Sequence, residues 1–139
     1  MIIIEKNKEK TSLNVVIAID FDGTCVTNEY PKIGKTVPDC VEILKKLLEK
    51  KNKLVLMTQR DGKPLTEAIN WFAENTIELY GINDNPQQHS WNKSRKIYAD
   101  IYIDDRNLGC PLTLHKSLSD KPFVDWKKVE KLLKNKGVL

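Results

Sequence analysis

The stretch Val15-Val-Ile-Ala-Ile19 is a short, largely β-branched apolar run that ends abruptly in Asp20-Phe-Asp22-Gly23-Thr24. An apolar run without polar alternation reads as a strand buried on both faces. Such a strand needs a covering layer on each side, so it constrains the fold more than any other segment. The chain after it supplies those layers. Pro38 suits a first helical turn, and Val41, Leu44, Leu47 and Leu48 give the helix that follows one apolar face. Lys53 to Thr58 reads as a second strand. Asp61-Gly62-Lys63-Pro64 breaks it and starts a helix carrying Leu65, Ala68, Ile69 and Phe72. Glu78 to Ile82 reads as a shorter third strand, and Asp84 to Asn92, with Pro86, as a polar loop. Ala99 to Ile103 and Leu112 to Leu114 read as further strands. A helix from about Asp125 closes the pattern.

Strands separated by helices imply a parallel sheet covered on both faces. The expected fold is therefore α/β, an open, doubly wound (Rossmann-like) parallel sheet sandwich. At 139 residues it fits a single domain, 1–139. Residues 1–14 have two readings of equal weight: an edge strand at Ile2 to Ile4 with a charged turn, or a flexible extension.

Composition excludes more than it selects. The hydrophobic fraction of 40% and charged fraction of 30% suit a soluble globular protein. No apolar run is long enough to span a bilayer, and the charges right after Ile4 do not fit a signal peptide. The expectation is a cytoplasmic protein with no membrane partner. Cys25, Cys40 and Cys110 are scattered, which argues for free thiols over zinc or disulfides. A net charge of +4 is mild, and the lysines between Lys127 and Lys136 fit the solvated face of an amphipathic helix.

In open α/β sheets ligands sit beyond the carboxyl ends of the strands. Three polar clusters fall there: Asp20-Phe-Asp22-Gly23-Thr24, Thr58-Gln-Arg60 and Asp104-Asp105-Arg106. Gly23 lets the chain turn sharply, and the Thr24 hydroxyl can hold the loop or a carboxylate. Carboxylates so crowded need a cation, a proton or a basic side chain, and oxygen-only ligands favour magnesium over zinc. Any one of these aspartates alone could cap a helix or start a turn. Acidic pairs ending two separate strands fit that explanation poorly.

The segment Val16-Ile-Ala-Ile-Asp20-Phe-Asp22-Gly23-Thr24 resembles the first motif of the haloacid dehalogenase-like (HAD) superfamily of hydrolases. Thr58 matches its second motif, Lys96 or Lys93 its third, and Ile101-Tyr-Ile-Asp104-Asp105 its fourth, in the expected order. Tyr30-Pro-Lys-Ile-Gly34, Arg95-Lys96 and Ile103 to Asn107 further resemble short bacterial and phage members. The resemblance implies a phosphomonoesterase with Asp20 as nucleophile and Asp22 as acid and base. It implies magnesium on the Asp20 carboxylate, the Asp22 carbonyl and Asp105, with Asp104 as support or alternative. Thr58 would contact the phosphoryl group, and Lys96, preferred over Lys93, would offset its charge. Gly23, Thr24, Arg60 and Arg106 are the expected substrate-binding positions. Arg60 and Arg106 have a second reading as partners of a local acid. Trp71 reads as core, and Trp91 as the better candidate of the two for substrate contact, though packing suits it more.

The resemblance also implies a capless core, because Cys25 to Val37 and Thr58 to Lys93 leave no room for a folded cap beyond a small flap between Cys25 and Lys35. An open site suits a large phosphorylated substrate such as a nucleic-acid end, a small phosphorylated molecule, or a site closed over by a neighbouring subunit. The competing expectation is a receiver-like, phospho-accepting signalling module that does not turn over. A scaffold without catalysis ranks below both, because every expected residue type is present.

Overall fold

The computed structural model describes residues 14–139. The strand expected at Ile2 to Ile4 lies outside the described residues. The apolar run forms β1, Val16–Ile19, with Ile17, Ala18 and Ile19 buried. It sits inside a four-stranded parallel sheet of order β3-β2-β1-β4, where β2 is Lys53–Leu56, β3 is Gly81–Ile82 and β4 is Ile101–Ile103. A strand with a neighbour on each side and a layer on each face has no use for polar alternation, which accounts for its composition. In register, Ile19 pairs with Leu56 of β2 and Ile103 of β4. All three strands therefore end at the same level.

Helices α1, Cys40–Glu49, α2, Gly62–Glu74, and α3, Trp126–Asn135, flank the sheet. The buried stripe of α1 is Cys40, Ile43, Leu44 and Leu47, with Val41 and Leu48 at its margin. Asp61 caps α2 in extended conformation, and Pro64 lies in the first turn, where its missing N–H costs nothing. Trp71 packs edge-on against Phe21 and Phe72, which are tilted against each other, with centroids 5.0–5.8 Å apart. Trp71 thus belongs to the core.

Three expectations change. The third strand is two residues long, because Glu78 to Tyr80 runs in before pairing begins at Gly81. The polar loop contains a 3₁₀-helix, Pro86–Ser90, opened by the Asn85 side chain accepting from Gln87 N. Residues 112–114 do not extend the parallel sheet. Instead β5, Leu112–Thr113, pairs antiparallel with β6, Phe123–Val124, a strand too short to carry a periodic signal. The flap between β1 and α1 is narrow, held by an antiparallel bridge from Val26 to Thr36 and by Thr27 N donating to Lys35 O at 2.7 Å. Among the described residues no helix is long and apolar enough to cross a membrane.

Candidate functional site

The shared strand ends place Asp20 directly after β1 and Asp104-Asp105 directly after β4. The Asp20 N–H donates to Ile103 O at 3.0 Å, which locks the two ends together. One carboxylate oxygen each from Asp20, Asp104 and Asp105 then lies within 4.8 Å of the others, close enough to share one metal ion. Among the described residues this is the one such group.

Thr24 organises the cluster from beneath. It is fully buried. Its hydroxyl donates to Asp20 Oδ2 at 2.9 Å and accepts from the Asp105 N–H at 3.2 Å. Its carbonyl accepts from Trp126 Nε1 at 2.8 Å, and Val124 N donates to the Gly23 carbonyl at 3.0 Å. The start of α3 is thereby bound to the turn after β1. Of the two readings of Thr24, substrate contact and holding the loop or a carboxylate, its burial and its bonds fit the second: it positions Asp20 and Asp105. Gly23 is corrected in the same sense. It has φ of +82°, and a Cβ there would overlap the Asp105 carboxylate. Gly23→Ala should therefore destabilise by about 1–2 kcal/mol through the backbone alone. It should also push Asp105 out of the cluster, so loss of divalent-cation affinity in a calorimetric titration should exceed the loss of stability. A variant that binds the cation as well as wild type would contradict this packing.

Crowding has an electrostatic consequence. Burial first, then the Asp104 charge, pushes the Asp20 carboxyl up to about 8 from its ordinary 3.8, against the opposing pull of the Thr24 hydroxyl. Burial also raises Asp105. Asp20 and Asp105 are both raised, so the two carboxyls titrate as a crowded pair.

Asp22 stands apart from this cluster. Its two oxygens each accept at 2.8 Å from Arg60, Oδ2 from Nε and Oδ1 from Nη2. Of the two readings of Arg60, substrate binding and pairing with a local acid, the structure shows the second. The Arg60 side chain is 1% exposed. Its other N–H groups donate to the carbonyls of Pro31, Pro64 and Lys32 at 3.1, 3.0 and 2.7 Å. All five donors of the guanidinium are thus committed, and none remains for a ligand. Arg60 instead ties Asp22, the flap and the start of α2 into one unit, and its pairing with Asp22 raises its own pKa further.

A cleft of about 500 Å³ opens above these residues, lined by Asp20, Asp22, Asp104, Asp105, Thr58, Arg60, Arg106, Asn28, Tyr30 and Gln59. Thr58 accepts from Arg60 N at 3.1 Å through its hydroxyl oxygen, which leaves the hydroxyl hydrogen for the cleft. Its own N–H donates to Asn83 Oδ1 at 2.8 Å. Arg106 is exposed at the rim, its N–H held by Asp104 Oδ1 at 2.8 Å. The expected lysine is not there. Lys96 lines a neighbouring pocket with Met57, Arg95, Tyr102 and Asn107, and its ammonium lies 5.6 Å from the Tyr102 ring centre. Lys93 does not line the cleft either. The reason is local: Gln88 holds the Lys96 carbonyl at 3.0 Å and draws that segment toward the 3₁₀-helix. Trp91 packs against Tyr98 and also stays outside the cleft. Asn28, Tyr30 and Gln59 went unnoticed as site residues in the sequence. Only their neighbours in the flap and beside Thr58 carried a signal.

No protein-family model matches the chain, and no curated protein matches it. A solved structure of a conserved protein from Bacteroides thetaiotaomicron is similar, with 38% identity and a TM-score of 0.74. The match covers 89% of this chain and 93% of that one.

Proposed function

We propose that this chain, which belongs to the same family as the conserved Bacteroides thetaiotaomicron protein, is a magnesium-dependent phosphomonoester hydrolase built on a capless, doubly wound HAD-like core. The observation that carries the reading is the convergence of Asp20, Asp104 and Asp105 at the ends of adjacent parallel strands, on the floor of an open cleft. Three crowded carboxylates, with Arg60 already committed to Asp22, are an arrangement that a hard cation would relieve. The donors are all oxygen, as magnesium requires. Asp20 and Asp105, with the Asp22 carbonyl and Asp104 in support, would hold it. When bound it supplies positive charge beside the phosphoryl oxygens and beside Asp20.

In this reading Asp20 attacks phosphorus. An aspartyl-phosphate bond forms, the ester P–O bond breaks, and the departing oxygen takes a proton from Asp22. Water then attacks the aspartyl-phosphate, Asp22 accepts its proton, and phosphate leaves with Asp20 restored. The Thr58 hydroxyl donates to the transferring group. Arg106, rather than a lysine, offers the positive charge at the cleft rim. A cytoplasmic setting suits such an enzyme but does not bear on its chemistry.

One observation favours the receiver-like alternative. Both oxygens of Asp22 are held by Arg60, which leaves neither free to meet a leaving group or an attacking water. If Arg60 never releases it, the aspartyl-phosphate would form and persist.

The test is turnover of phosphate esters that stops with chelator and returns with magnesium, joined to a pH experiment on stability. Without cation, the folded chain keeps a proton on Asp20 up to about pH 8, while the unfolded chain releases it near pH 3.8. The folded state then binds more protons across that window, so stability is highest below about pH 4 and falls as pH rises towards 8. The slope is at most about 1.4 kcal/mol per pH unit, reduced by solvent at the cleft mouth. Adding magnesium should release the proton and flatten the slope. Denaturation curves with the same pH slope with and without magnesium would remove the cation from this cluster.

A further inference from the structure

The cleft is far larger than a phosphoryl group needs, and its walls away from the carboxylates are not uniformly polar. A volume of about 500 Å³ is the size of a small-ligand pocket. Tyr30 lines the same cleft as Asp104 and Asp105, 55% exposed although it is a large aromatic side chain. The Arg60 guanidinium lies 5.2 Å from its ring centre and 5.0 Å from that of Phe21. Arg60 is thus sandwiched between a buried ring and an exposed one. One face of Tyr30 rests on Arg60, and the exposed remainder borders the cleft.

This ring is held in place. Arg60 donates to the carbonyls of Pro31 and Lys32, the two residues after Tyr30. Across the flap, Lys35 N donates to Thr27 Oγ1 at 2.9 Å, and the Thr27 hydroxyl donates to Glu29 Oε2 at 2.8 Å. A flat apolar face presented to solvent on a cross-bonded loop is organised before any ligand arrives, so stacking on it costs little ordering. Asn28 and Gln59 beside it offer amide donors and acceptors of the kind that read the edge of a heterocycle.

We infer that Tyr30 is a stacking platform for a flat ring on the alcohol side of the phosphate ester, so that the substrate class is a phosphorylated nucleoside, either free or at the end of a strand. The inference rests on the hydrolase reading for the placement of the phosphate over Asp20. Its own content is the ring on Tyr30.

The experiment compares a nucleoside 5′-monophosphate with ribose 5-phosphate in magnesium. Both present the same primary phosphate ester, and only one carries a ring. Wild type should favour the nucleotide in kcat/KM by about tenfold, the scale of one base stacked on an aromatic side chain. Tyr30→Phe should keep that ratio. Tyr30→Ala should bring it close to one. So should Tyr30→Leu, which still covers Arg60 but has no flat face, and it guards against a misfolded alanine variant. Equal kcat/KM for the two esters in wild type, or a preference that survives Tyr30→Leu, overturns the platform. If wild type hydrolyses neither ester, the hydrolase reading falls, and calorimetric titration of the same two ligands decides the platform alone. Tenfold tighter nucleotide binding keeps it, and equal affinity removes it. A 5′-phosphorylated oligonucleotide identifies the source: kcat/KM above that of the mononucleotide assigns the nucleoside to a strand end, and below it to the free nucleotide.

Discussion

Asp20→Asn should lower phosphatase turnover by at least about ten-thousand-fold, the scale expected when a covalent nucleophile is removed. The same substitution should raise the stability of the cation-free protein. Both results follow from one geometry. An amide is a poor nucleophile, yet its oxygen can still accept from the Thr24 hydroxyl, and its NH₂ can donate towards Asp105. The backbone bond from residue 20 to Ile103 is untouched. The fold therefore has no reason to change. What disappears is the penalty of a crowded, buried carboxyl whose pKa is raised to about 8. At pH 7.5 in chelator the gain should be roughly a few kcal/mol, an increase in Tm on the order of 10 °C for a chain of this size. At pH 3, below the 3.8 at which the unfolded chain releases its proton, folded and unfolded states both hold it and the gain should shrink. Scanning calorimetry at the two pH values, beside a turnover assay, reads both effects. Retained turnover would sink Asp20 as nucleophile. Lost turnover without any gain in stability would keep the nucleophile but remove the charge crowding.

The sequence disclosed what is local and periodic. β1 was legible because an apolar run needs no knowledge of its neighbours, and the level of Asp20 and Asp104 followed from the parallel pairing such runs adopt. Trp71 was legible as core from its place on a helical stripe. The pairing of Arg60 with Asp22 was left open, because it depends on how two side chains 38 positions apart meet after folding. Arg60 sits four residues past the end of β2, where a ligand-binding residue would also stand, and only its folded partners show that its donors are spent. Lys96 was misplaced for a related reason. Its sequence position just before β4 is right, but the Gln88 side chain captures its carbonyl and turns that segment aside. Trp126 supports the turn after β1 through one hydrogen bond from far along the chain, and no spacing rule reaches over 102 residues. In the sequence Tyr30 stands out only within the segment Tyr30-Pro-Lys-Ile-Gly34 that carries a resemblance. Its exposure and its seat on Arg60 are properties of the folded flap.

Asp22→Asn should slow the hydrolysis of an alkyl phosphate by about a hundred- to ten-thousand-fold, the usual worth of general acid–base help. This variant decides between the hydrolase and the phospho-accepting module, because Asp22 acts in both half-reactions while Asp20 stays in place. An aryl phosphate leaves with little need of a proton, so its first step should suffer less, and the loss should be steeper for the alkyl ester. Arg60 makes the comparison sharper. In wild type its two N–H groups meet two carboxylate oxygens. In the variant one of them would face an NH₂ group and lose its acceptor, at a cost of about 1–3 kcal/mol. That cost appears in the Tm and does not depend on the leaving group, so the ratio of aryl to alkyl turnover isolates the chemical role from the structural one. A loss equal for both esters would mean that Asp22 serves only to anchor Arg60 and the flap. The module makes a different forecast. Wild type would show no steady turnover of either ester, and an acyl phosphate would label Asp20 with a phosphoryl group that persists, because an Asp22 held fast by Arg60 cannot take the proton of an attacking water. Slow clearance that accelerates when Arg60 is replaced by Lys, which cannot hold both oxygens in a planar fork, would assign the persistence to that ion pair.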